Sequence, residues 1–142
     1  MHVLTGPEVL SHFSIDYFKG ASTFGALSDD TLNWLFQEGK LYALDAKEVL
    51  FEPNERGDAF FVILKGAIAY YKCHDGLYAH IRDYQAGEQI GFMSMIALHD
   101  RVGSAIAVQD SIVLEINTHL FHNLHEKAPL DFGVLMMNLA RE

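Results

Sequence analysis

A single cysteine, Cys73, stands in the 142-residue chain. That excludes an internal disulfide, a four-cysteine zinc site and an iron–sulfur cluster held within one chain, and a reducing, intracellular setting is the simplest inference. Basic residues are also scarce: 10 Lys and Arg stand against 19 Asp and Glu, for a net charge of −9 with histidines neutral. Binding to a phosphate backbone depends on clustered Lys and Arg, so direct DNA binding by this chain alone is not expected. No apolar run approaches the roughly 20 residues of a membrane-spanning helix. The opening MHVLTGPEVLSHFS has neither a basic leader nor a long apolar stretch, so a cytoplasmic chain without a membrane partner is expected. No internal repeat, low-complexity tract or linker is present, and no Gly-x-Ser-x-Gly elbow or Walker lysine. Nothing in the sequence supports catalysis, and the chain is not expected to be an enzyme.

What remains is a chain long enough for one domain and too short for two ordinary ones, half of it apolar. Residues 1–39 read as a helical lead-in. Pro7 and Glu8 suit a first helical turn, with Val9, Leu10, Phe13 and Phe18 as apolar anchors. Ser28 caps a helix that carries Asp29 and Asp30 in its first turn and Leu32, Leu35 and Phe36 at helical spacing, and Gly39 ends it.

Residues 40–117 read as a β-roll. The runs Leu41 to Leu44, Glu48 to Phe51, Ala59 to Leu64, Ala67 to Cys73, Tyr78 to Tyr84, Val102 to Val108 and Ile112 to Ile116 are apolar or alternating. Turn residues part them, and Asp75 with Gly76 signals a tight hairpin. Many short strands at this spacing predict a closed sandwich or barrel. Residues 118–142 then form C-terminal helices, the last opened by Pro129 and spanning about 20 Å. Phe132, Leu135, Met136 and Leu139 form an i, i+3, i+4, i+7 stripe on it. Core packing is the default reading of such a stripe and a helix–helix interface the alternative.

The stretch GEQIGFMSMIALHDRVGSA, Gly87 to Ala105, carries the ordering of a ligand site. Gly87 and Gly91 permit bends, and Phe92 to Leu98 is long enough for only about two helical turns. A short helix starting after Gly91 would offer unpaired amides, and Arg101 follows soon enough to close a forked, charged donor over the same place. A phosphate suits that geometry. Spacing alone leaves open an ordinary turn beside an ordinary surface arginine.

The same stretch resembles the phosphate-binding cassette of cyclic-nucleotide-binding domains, the module of catabolite activator proteins, cyclic-nucleotide-dependent kinases and gated channels. That pattern reads G-E-x-(F/I)-G-E-(L/I/M)-(A/S)-L, a short gap, then P-R-(A/S/T)-A. Gly87, Glu88, Ile90, Gly91, Met93, Ser94, Arg101 and Ala107 fall where the pattern places them. Glu55 to Gly66 is similar to the family's strand leading into Y-x-I-L-x-G, with Asn54 where glycine is usual, and Phe121 with Leu124 matches its F-x-x-L signature. The resemblance implies a mainly β fold with flanking helices, a double-stranded β-helix (jelly roll) of about eight strands. It implies a ligand site at Gly91, Phe92, Met93, Ser94, Arg101, Val102 and Gly103, taking a cyclic nucleotide or another small phosphate ligand. Three positions depart from the pattern: Phe92 replaces the glutamate that accepts from the ribose 2′-hydroxyl, Asp100 the proline, and Val102 the small residue after the arginine. The phosphate half of the site is kept and the ribose half is lost. The expected function is a regulatory or sensor domain: an anion docks on the amides near Met93 and Ser94 and on Arg101, and the last helix shifts. A downstream protein, or the partner in a homodimer formed through that helix as in the family, reads the shift.

Two rivals stand beside this reading. One is a ligandless dimerisation or interaction module with Phe92 in the old ribose position. The other is a cupin-like metalloenzyme, which needs an H-x-H pair that this chain lacks. His74 and His80 flank a turn too loosely to share a metal, and His119, His122 and His125 lie three apart, so only neighbours share a helix face. Glu48, Glu52, Glu55 and Asp58 read as a solvated face. Tyr70, Tyr71, Tyr78 and Tyr84 read as core, with one or two of them free to line a pocket.

Overall fold

The computed structural model describes residues 1–142. A short strand, β1 (His2–Leu4), opens the chain, followed by helices α1 (Gly6–Leu10), α2 (Ile15–Lys19) and α3 (Asp29–Glu38). Thr5, Ser14 and Ser28 cap the three helices by accepting from the amides of Glu8, Tyr17 and Thr31, which no carbonyl inside the helix can reach. Gly39 ends α3 as expected. The lead-in is not wholly helical, because β1 pairs antiparallel with β2 (Lys40–Leu44), with His2 opposite Ala43 and Leu4 opposite Leu41. Three residues are too few to show an alternation, so the strand left no readable period.

The remaining strands are β3 (Val49–Phe51), β4 (Ala59–Lys65), β5 (Ala67–His74), β6 (Leu77–Gln85), β7 (Gln89–Ile90), β8 (Gly103–Ala107) and β9 (Ser111–Asn117). They build two antiparallel sheets, ordered β1-β2-β9-β4-β7 and β3-β8-β5-β6. This is the mainly β jelly roll with flanking helices. Asp75 and Gly76 turn β5 into β6 with φ of 52° and 75°, the positive values a two-residue hairpin demands.

β4 explains how the layers are joined. Its sequence, AFFVILK, is apolar almost throughout, and the alternation of side chains sends the two halves of that run to different cores. Phe61 and Ile63 point into the roll with Leu50, Phe51, Ile68, Ile90 and Ala105. Phe60, Val62 and Leu64 point out of it, into a larger core shared with the helices. A strand buried on both faces reads as a continuous apolar run for this reason.

α4 (Phe92–Ala97) sits between β7 and β8, and α5 (Thr118–Lys127) and α6 (Pro129–Arg141) close the chain. No helix is long and apolar enough to cross a membrane. On α6, Leu135 is 0% and Leu139 3% exposed, both inside the helical core, with Phe132 and Met136 packed beside them. The predicted stripe is therefore core. Phe132 and Met136 stay partly exposed at its margin.

Candidate functional site

The cassette begins where β7 ends. Gly91 takes φ of 99°, and a Cβ there would lie 2.6 Å from Arg101 Nη1, so glycine is required both by the bend and by the arginine packed against it. α4 starts at the next residue. The side chain of Gln89 accepts from Phe92 N at 3.2 Å. The amides of Met93 and Ser94 lie in the first helical turn, above the reach of the i to i−4 ladder.

Phe92 turns away from the cavity mouth. Its ring meets Phe60 and Phe121 edge-on, with centroids 5.5 and 5.9 Å away, in the core between sheet and helices. The phenyl group is 7% exposed and packs into the helical core, so it borders the cavity without offering a hydroxyl any acceptor.

Arg101 is the central feature. It is 4% exposed, and its side chain runs inward, where Nη1 donates to Gly91 O at 2.9 Å and Nη2 donates to Ala59 O. The guanidinium lies 4.3 Å above the Phe51 ring, a cation–π contact. Nε is buried and has no hydrogen-bond partner. Burial pulls this group below the ordinary arginine range, opposed by the fields of Asp58, Glu55 and Glu115. None of those carboxylates forms an ion pair with it. Asp100, the neighbour expected to compete with an incoming anion, is exposed and does not pair with it either. The backbone holds the residue in place: Arg101 N donates to Glu55 O and Asn54 N to Arg101 O, each at 2.8 Å. Asn54 adopts φ of 71°, a left-handed conformation that asparagine tolerates better than most residues, which accounts for its standing where the family has glycine.

Around Arg101 lies a cavity of about 420 Å³. Gly91, Phe92, Met93, Ser94, Arg101 and Val102 all line it. Gly103 does not; it stands behind the wall, where a Cβ would lie 2.5 Å from Tyr70 Oη, and its role is to let that tyrosine lie flat. Of the four tyrosines, Tyr70 and Tyr84 reach the cavity. Burial raises the Tyr70 hydroxyl above its ordinary range, so it stays protonated as a donor.

Glu88, which the cassette pattern includes, also lines the cavity, as do Arg82, Phe51, His99 and Glu142, none of which sequence reasoning assigned to the site. Arg82 pairs with Glu88 at 2.5 Å and stacks 4.1 Å above the Tyr84 ring. Only an alternating strand marked Arg82 and Tyr84, as i and i+2 on one face of β6. Other grooves exist, including an open one of about 590 Å³ beside Trp34 and Lys127, but none contains a comparably buried charge. No three His, Cys, Asp or Glu side chains come together as a metal site.

Residues 42–128 match the sequence signature described as the cyclic nucleotide-binding domain. A lysophospholipase NTE1 from Cryptococcus neoformans is 28% identical over 87 residues, which is 61% of this chain and 5% of that protein. The chain thus spans only a small fraction of the curated relatives it matches. Among solved structures, a cyclic nucleotide-binding domain from Methylobacillus flagellatus superposes with a TM-score of 0.82 at 21% identity, over 99% of this chain and 79% of that one. The regulatory subunit of a cAMP-independent protein kinase A from Trypanosoma brucei superposes with a TM-score of 0.75 at 16% identity, over 94% of this chain and 44% of that one. With more than half of its length matched by the signature, and the jelly roll and cassette in place, this chain belongs to the cyclic nucleotide-binding domain family.

Proposed function

We propose that the chain is a regulatory sensor, not a catalyst, whose cavity takes a small phosphate-bearing anion against Arg101. One observation carries the reading: a guanidinium at 4% exposure, with a free Nε and no carboxylate paired to it, at the wall of a cavity. A buried cation without a counter-ion is costly, and an anion supplies both the missing charge and the missing acceptor. A ligand that relies on a ribose hydroxyl fits less well. The carboxylates on the cavity wall are Glu88, tied to Arg82, and Glu142, which already accepts from Ser22 and Thr23. A relative of the same fold described as cAMP-independent fits a site whose ligand is not cyclic AMP.

The ligandless module has one observation in its favour. Two of the Arg101 donors are already spent on Gly91 O and Ala59 O, as in a structural rivet. A thermal-shift screen with inorganic phosphate, sulfate, cyclic AMP and cyclic GMP separates the readings. The sensor predicts stabilisation by at least one anion beyond a sodium chloride control, lost on Arg101→Met. A flat response to all of them favours the rivet.

A homodimer through α6 also belongs to this reading, on its outer face. Leu130 is 88% and Met137 53% exposed, and Gly133 and Ala140 lie on the same open side. The polar residues Asp131 and Asn138 instead face the protein, bonded to the N-terminal segment. A helix that carries a second apolar stripe outward, beside the one it buries, has a surface suited to its twin. The unpaired Cys73 and acidic charge fit a cytoplasmic regulator that hands its signal to another protein.

A further inference from the structure

The geometry points to a built-in electrostatic latch: Glu142, at the end of α6, is a tethered anion on the cavity wall, and an incoming anion releases it. This rests on the anion-site reading above and names how that site is read out.

Glu142 is set apart from the other acid of the cavity. Glu88 is neutralised by Arg82, whereas Glu142 has no cation paired with it. Its Oε1 is held by hydroxyls, accepting from Thr23 Oγ1 at 2.8 Å and from Ser22 Oγ at 2.9 Å. The cavity thus holds one unpaired cation, Arg101, and one unpaired carboxylate, Glu142, with no ion pair between them. A phosphate that neutralises Arg101 brings like charge toward the exposed carboxylate of Glu142 on the same cavity wall.

Release has a defined route into the fold. Ser22 Oγ lies 3.1 Å from Gly87 O, at the start of the cassette loop, and 2.9 Å from Glu142 Oε1, with a single proton to share between them. Thr23 N also donates to Gly87 O. Losing Glu142 lets Ser22 turn wholly to Gly87, so the cassette tightens as the end of α6 loosens. The rest of α6 stays seated. Asn138 donates to Thr23 O and Gly25 O at 3.1 and 2.8 Å, and the Asp131 carboxylate accepts from Ser28 and Thr31. The moving part is therefore the last turn, beyond Asn138.

Three proteins test this: the unmodified chain, Glu142→Gln, and the double variant Ser22→Ala/Thr23→Val. The glutamine keeps the acceptor and removes the charge; the double variant keeps the charge and removes the hydroxyls. Phosphate affinity is measured by calorimetry, and amide exchange of residues 131–142 with and without saturating phosphate. In the unmodified chain, phosphate should speed exchange at the end of α6 on the order of tenfold, the loss of about one charge-assisted hydrogen bond. Glu142→Gln should bind phosphate roughly three- to tenfold tighter, with α6 exchange no longer responding. The double variant should show the fast exchange before any phosphate is added. If phosphate binds but the α6 amides do not respond, or if the Glu142→Gln affinity stays within about twofold, the latch is wrong and the anion site survives. If phosphate binds neither the unmodified chain nor Glu142→Gln, the anion site itself fails and the latch with it.

Discussion

Replacing Arg101 with methionine puts the anion reading at most risk. Methionine keeps an unbranched apolar stem against the Phe51 ring, 4.3 Å from the guanidinium, and deletes the charge and the donors to Gly91 O and Ala59 O. Two charge-assisted hydrogen bonds of about 1.5 to 3 kcal/mol each are lost. Against this, the variant escapes the desolvation of a buried cation, which costs several kcal/mol. The two effects nearly offset, and the expected loss of stability without anion is small, about 1 to 2 kcal/mol. Phosphate separates the proteins. At about 100 times the dissociation constant the unmodified chain gains about 2.7 kcal/mol by mass action, and the variant gains nothing by that route. Urea unfolding in phosphate, set against sodium chloride of equal ionic strength, reads the difference directly, since a change in midpoint at constant slope is a change in stability. Anions of this kind also stabilise proteins generally by exclusion from the surface, and the variant is the control for that effect. Equal gains for both proteins would refute the reasoning. A loss of 4 kcal/mol or more on substitution alone would instead identify Arg101 as a rivet.

Cyclic AMP should bind poorly. Without a carboxylate at Phe92 the ribose 2′-hydroxyl loses a contact of about 1.5 to 3 kcal/mol, roughly 10- to 150-fold in affinity, and a submicromolar constant by calorimetry would contradict this. Leu130→Glu with Met137→Glu should leave a folded chain with stability changed by about 0.5 kcal/mol per site or less and no self-association in sedimentation. Leu135→Glu, at 0% exposure, should fail to fold. An unmodified chain that stays monomeric at high concentration would rule out the α6 dimer. The Asp131 carboxyl is held below its usual range by the Ser28 hydroxyl, and then by that of Thr31. A depressed folded value contributes stability above the unfolded value, near 3.9, and loses it as pH falls through the folded value. Urea midpoints taken from pH 6 downward should therefore show the unmodified chain's advantage over Asp131→Asn shrinking below about pH 4. A constant difference across that range would contradict the assignment.

The roll and its flanking helices were legible because each rests on local rules: Ser28 before two aspartates, the Asp75–Gly76 turn, and the apolar run of β4. The cassette was legible because Gly91 and Arg101 fall where the family pattern places them, although their spacing alone decided nothing, and the structure brings Arg101 Nη1 within 2.9 Å of Gly91 O. The far wall was not. Arg82, Tyr84 and Glu142 come from β6 and the end of α6, and their meeting at Gly91 is decided by how sheet and helix stack, which leaves no period in the sequence. Phe92 shows the same limit. Its identity revealed a missing carboxylate, but whether the ring blocked the cavity depended on Phe60 and Phe121, 32 and 29 residues away in the chain. The α6 stripe was read correctly as apolar, but the outward apolar face lay on other residues, because Asp131 and Asn138 turn inward to bond the N-terminal segment.

The central claim is that the buried guanidinium of Arg101 waits for an anion, and a crystal structure of the unmodified chain grown in phosphate tests it most directly. The account predicts density for one phosphate in the cavity, within hydrogen-bonding distance of Arg101 and close to the amides of Met93 and Ser94, at a position that stays empty in crystals of Arg101→Met. Arg101 still bonded only to Gly91 O and Ala59 O, beside a cavity holding nothing but water at saturating phosphate, would contradict it.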